Sequence, residues 1–106
     1  MSKRLDTIDA MIAKGSRDPF VFYARALELK SLGKLDESLD AFRLVEREFA
    51  SYVPTYLMAA QLAVELAKLD DARGFLERGL VIARAAGDAH ATSEMEALLP
   101  RTRGAS

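Results

Sequence analysis

The chain has 106 residues, half of them apolar and 29% charged, with 15 basic against 16 acidic side chains and a formal net charge of -1. That length suits one hydrophobic core and is too short for two, so a single soluble domain over 1–106 is expected. Balanced charge argues against a general attraction to nucleic acid or anionic lipid, and the lack of cysteine excludes a disulfide framework and a thiolate metal site.

Apolar residues recur at spacings of three and four almost throughout, and strand-like alternation is rare, so the chain reads as all-α. The first helix is predicted over 2–14: Leu5, Ile8 and Ile12 form a stripe with Met11 beside it, Ser2 is the N-cap, and Gly15 is the stop. Asp18-Pro19 then places a capping carboxylate before a proline at the first helical position, and this second helix ends at Gly33. A third helix follows the turn, with Asp36 and Glu37 meeting the positive end of its dipole and Leu39, Phe42, Val45 and Phe49 as its apolar stripe.

From Pro54 the scheme restarts. A fourth helix reaches about Ala67, a turn falls around Lys68, and a fifth helix begins at Asp70-Asp71 and runs through Leu76, Leu80 and Ala83 to Gly87. Asp88 caps a last helix over 88–99 that carries Ala91, Met95, Leu98 and Leu99 on one side. Pro100 stops it, and the segment 100–106 is expected to be a flexible tail because it has nothing apolar to bury. The most apolar stretch, 56–67, is broken by Gln61 and Glu65 and is shorter than the roughly 20 residues that span a bilayer. No export signal is evident, so a cytoplasmic location without a membrane partner is expected.

The stretch "SLGKLDESLDAF" (31–42) returns as "ELAKLDDARGFL" (65–76), and the two turns, at Gly33 and Ala67, lie 34 residues apart. That is the period of the tetratricopeptide repeat (TPR), and from Pro19 to Gly87 the chain resembles that family. The large aromatic of the first helix falls on Phe22 and Tyr56, the small residue after it on Ala26 and Ala60, and the turn on Gly33 and Ala67. The small residue of the second helix falls on Ser38 and Ala72, the bulky one on Phe42 and Leu76, and the last small or medium one on Val45 and Gly79. Ala67 departs from the usual turn glycine, Leu29 and Ala63 stand where an aromatic is common, and the expected proline is displaced to Pro54.

Physically, two helices approach closely only where both side chains are small, which makes Ala26 with Ser38, and Ala60 with Ala72, the expected crossing points. The resemblance implies antiparallel helix-turn-helix pairs stacked as a short right-handed solenoid, with repeat 1 over 19–52, repeat 2 over 53–86, and the outer helices as caps.

Catalytic chemistry finds little support. His90 is the only histidine, the acidic pairs recur at one repeat position and so read as helix N-terminal charge, and the glycines are helix stops or close-packing positions rather than a phosphate loop. No enzyme activity, cofactor or metal is expected. Arg101 and Arg103 lack the aromatic platform of a nucleic-acid site.

In TPR proteins the first helices of successive pairs line a concave surface that receives a partner segment. Carried onto this chain, the family's inward positions are Phe20, Tyr23, Leu27, Lys30 and Ser31, then Leu57, Gln61, Val64 and Glu65. The carboxylate clamp of the family relies on Lys, Arg and Asn, whereas this neighbourhood offers Tyr23, Leu27, Met58 and Gln61, so a clamp is disfavoured. The expectation is a scaffold or adaptor that binds an apolar segment or amphipathic helix of a partner protein, with Tyr23 as an anchor and Gln61 as a hydrogen-bonding group. The alternative is a structural subunit that buries the same surface in a homodimer.

Overall fold

A computed structural model of the protein describes residues 2–103. Among them it contains six α-helices, one 3-10 helix and no strand: α1 (Lys3–Ala13), α2 (Pro19–Ser31), α3 (Leu35–Glu48), α4 (Pro54–Glu65), α5 (Leu69–Ala85), α6 (Ala89–Leu98) and the 3-10 helix Leu99–Thr102. The fold is an all-α helical repeat.

Helix starts follow the sequence chemistry. Ser2, Asp18 and Asp88 each accept a hydrogen bond from a backbone N–H of the first turn, of Leu5 (3.0 Å), Phe20 (2.9 Å) and Ala91 (3.0 Å) respectively. α3 and α5 begin at Lys34 and Lys68 without a side-chain cap, and Asp36-Glu37 and Asp70-Asp71 supply negative charge to those first turns instead.

The ends of α1, α2, α4 and α5 share one device. At the α2–α3 turn the Lys34 N–H reaches the Leu29 carbonyl (2.9 Å) and the Gly33 N–H reaches that of Lys30 (2.9 Å). The α4–α5 turn repeats this with Lys68 to Ala63 (2.8 Å) and Ala67 to Val64 (3.0 Å). The motif needs a left-handed residue at its centre, and Gly33 takes it at φ 77° while Ala67 takes it at φ 59°.

The contacts divide the chain into two compact units, one ending at Phe49 and the other starting at Ala50. Each hairpin, with the helix flanking it, closes a core of its own. In the first unit α2 packs on α3 through Phe22, Ala26, Leu29, Leu39, Phe42 and Val45, and α1 packs on α2 with Ile8 buried. Each large apolar side chain fully buried in this way contributes roughly 1.5–3 kcal/mol. At the crossing, Ser38 and Ala26 are both fully buried, and the Ser38 hydroxyl donates to the Ala26 carbonyl at 2.6 Å. Polar links tie α1 down: Ser2 Oγ donates to Glu28 (2.8 Å), and Arg25 Nε pairs with Asp9 (2.9 Å). Phe22 and Phe49 meet at 5.1 Å between ring centroids, with the Arg17 guanidinium over Phe49 at 4.9 Å.

In the second unit α4 packs on α5, and Ala60 and Ala72 are fully buried. Gly79 lets α5 pack tightly against Tyr56 of α4 and Met95 of α6. A Cβ on it would run into Tyr56 Cβ and would sit 2.7 Å from Met95 Sδ. Tyr56 is itself buried, and its hydroxyl donates to the Ala50 carbonyl. α6 lies on α5 with Met95 and Leu98 buried, and Arg84 pairs with Glu96 at 2.9 Å.

The C-terminal segment departs from the sequence expectation. Residues 100–106 were expected to be flexible, yet Pro100 opens a 3-10 helix and Thr102 is fully buried. The Thr102 hydroxyl donates to the Leu99 carbonyl (2.7 Å), and Arg73 of α5 donates to the Thr102 carbonyl (2.6 Å). These polar bonds and the burial of Thr102 fasten the segment. The rest of the expected tail, 104–106, lies outside the described residues.

Candidate partner-binding surface

Helical spacing puts Phe20, Tyr23, Leu27 and Lys30 on one face of α2, turned away from the Phe22, Ala26 and Leu29 face that meets α3. Phe20 is 58% exposed; Tyr23, Leu27 and Lys30 are half-buried. The Tyr23 ring meets Phe42 edge-on at 6.1 Å, so the core of the hairpin supports it from behind.

The row on α4 stands at equivalent positions one repeat later. Leu57, Gln61 and Val64 are half-buried and Glu65 is exposed, while Tyr56, Ala59, Ala60, Leu62 and Ala63 are taken up by the core of their own unit. None of the eight residues belongs to the buried core. The structure thus brings Phe20, Tyr23, Leu27 and Lys30 together within the first unit, and Leu57, Gln61, Val64 and Glu65 within the second. Ser31, on the edge of the first row, is exposed.

The chemistry of these rows suits contact rather than catalysis: five apolar or aromatic side chains, one amide, and Lys30 and Glu65 toward the C-terminal ends of their helices. His90 is exposed and pairs with Glu94 one turn along α6. Among the described residues no cluster of three or more His, Asp or Glu is placed to hold a metal ion, and no helix is long and apolar enough to cross a membrane.

One feature escaped the sequence reading. Arg25 of α2 joins Glu37, Asp40, Ala41, Arg43, Leu44 and Arg47 of α3 around a groove of about 510 Å³ on the first unit. Its signal in the sequence is charge at helical spacing along α3, beyond the first-turn acidic pair.

No protein-family model and no curated protein matches the chain. Solved structures do match. A tetratricopeptide repeat domain protein from Salinibacter ruber, determined in solution, is similar at a TM-score of 0.78 and 28% identity over 85% of this chain and 91% of that one. A crystal structure of a tetratricopeptide repeat domain protein from the same organism gives 0.76 and 29% over 82% and 98%. This chain has the tetratricopeptide-repeat fold. A protein from Bordetella parapertussis, determined in solution, is similar in fold at a TM-score of 0.79 and 20% identity, over 96% of this chain and 89% of that one. The TPR likeness points to a protein-interaction scaffold as the general class of function.

Proposed function

We propose that the protein is a non-catalytic, cytoplasmic adaptor that docks a segment of a partner protein on the α2 and α4 rows. The segment is an amphipathic helix or an extended apolar stretch. What carries the reading is that both rows hold large side chains which the core of neither unit consumes: Phe20, Tyr23 and Leu27 on α2, and Leu57 and Val64 on α4. Tyr23, backed by Phe42, is the anchor, because an aromatic already held in place loses little freedom on binding. Gln61 offers an amide to the backbone of the bound segment. The test is selection of binding peptides from a displayed library, followed by Leu27→Arg and Leu57→Arg. Each substitution is expected to weaken binding roughly tenfold or more while far-UV helicity is kept. Unchanged binding in both variants would contradict the reading, and loss of helicity would mean that these positions belong to the core.

A further inference from the structure

α3 carries a charge pattern that neither its dipole nor the repeat demands. Its outer stripe reads Glu37, Asp40, Leu44 and Arg47, at spacings of three and four, with Arg43 alongside and Ala41 buried at its edge. On that stripe acid occupies the N-terminal half and base the C-terminal half, with Leu44 between, while Glu46 and Glu48 lie off it. The dipole accounts for Glu37, as it does for Asp71 in α5, but its influence fades within the first and last turns. Asp40 and Arg43 lie further in. The repeat does not ask for them either, since one period later Asp40 is replaced by Gly74, Arg43 by Glu77, Leu44 by Arg78 and Arg47 by Val81.

We propose that this face of α3 is a self-association surface whose occupant is α3 of a second copy, running antiparallel across a two-fold axis. A two-fold contact requires a patch complementary to itself. With the axis passing level with residue 42, Glu37 meets Arg47 of the second copy, Asp40 meets the Arg43–Leu44 step, and the half-buried Leu44 side chains form the apolar seam. A parallel arrangement would set Glu37 on Glu37 and Arg47 on Arg47, so charge selects the antiparallel one. The side chains project far enough: those of Asp40 and Arg47 are 78% and 73% exposed, and Asp40 and Arg43 already pair at 3.2 Å within the helix. Arg25, held by Asp9 at 2.9 Å, walls the groove into which the second helix settles.

Arg25 also lies about 200° around α2 from Leu27, so this surface is distinct from the proposed peptide row, and either can fail without the other. One pair of helices of about four turns each buries less than a standard interface, so the dimer is weak and forms at high protein concentration. Pairs this exposed are screened by salt.

Sedimentation equilibrium over a concentration series tests the proposal. The mass is expected to rise toward twice that of one chain at low salt, and to fall back at about 0.5 M salt, where the screening length is only a few ångströms. The double variant Glu37→Arg/Asp40→Arg should remain a monomer. Adding Arg43→Glu/Arg47→Glu to the same chain inverts the pattern and makes it self-complementary again, so the dimer should return. Should the fourfold variant lose helicity, the two double variants are mixed instead; each is a monomer alone, and together they should pair one to one. A wild-type monomer at every concentration would overturn the proposal. So would a double variant that dimerises like wild type, or folded charge partners that fail to pair.

Discussion

In the α2/α3 hairpin the helices cross where Ser38 donates to the Ala26 carbonyl at 2.6 Å, whereas in the α4/α5 hairpin the same positions are Ala60 and Ala72, both fully buried. Val45 of the first hairpin corresponds to Gly79 of the second, where Tyr56 Cβ and Met95 Sδ occupy the space a side chain would take. Leu39, fully buried in the first, corresponds to Arg73, which reaches out to the Thr102 carbonyl in the second. Backbone spacing and capping bonds are common to both, and side-chain volume and polarity are redistributed within each. The repeat therefore constrains where helices start, turn and cross, and leaves open what fills the crossing.

The largest test of that contrast is Gly79→Ala. Its methyl group meets a Cβ rather than a flexible tip, so urea unfolding should record a loss of about 3 kcal/mol, at the upper end of overpacking costs. A loss under about 0.5 kcal/mol would mean that the second hairpin has room it does not use. Next in size is the crossing itself. Ser38→Ala should cost about 1 kcal/mol, the net worth of one buried hydrogen bond. The reciprocal Ala72→Ser should be close to neutral if its hydroxyl finds the Ala60 carbonyl as Ser38 finds that of Ala26, and should cost about 1–3 kcal/mol if the hydroxyl is buried unpaired. The smallest pair concerns the turns. Gly33→Ala should lower stability by roughly 1 kcal/mol and Ala67→Gly should raise it by roughly 0.5–1 kcal/mol, because both positions are left-handed and only glycine adopts that conformation without steric cost.

Much of the fold was legible because its signals are local. Ser2, Asp18 and Asp88 announce helix starts, Gly15, Gly33 and Gly87 announce ends, and the 34-residue spacing aligns the two hairpins. The close approach at Gly79 was also readable, since a glycine inside a helical pattern implies a neighbour that needs the space. The anchored 3-10 helix at Leu99–Thr102 was not. It depends on Arg73, 29 residues away, and no local pattern marks an arginine that will donate to a distant carbonyl. Arg17 over Phe49 is invisible for the same reason. Within the candidate surface, the inward positions of the TPR resemblance select the row of α2 that bears Phe20, Tyr23 and Leu27. The edge-on support of Tyr23 by Phe42 emerged only from the folded hairpin.

The most direct test of the proposed adaptor role is amide chemical-shift mapping of the isotope-labelled protein titrated with a library-selected peptide. Perturbations concentrated at Phe20, Tyr23, Leu27 and Lys30 and at Leu57, Gln61, Val64 and Glu65 are the predicted result. Perturbations confined to the outer faces of α3, α5 or α6, with the α2 and α4 rows unmoved, would contradict it.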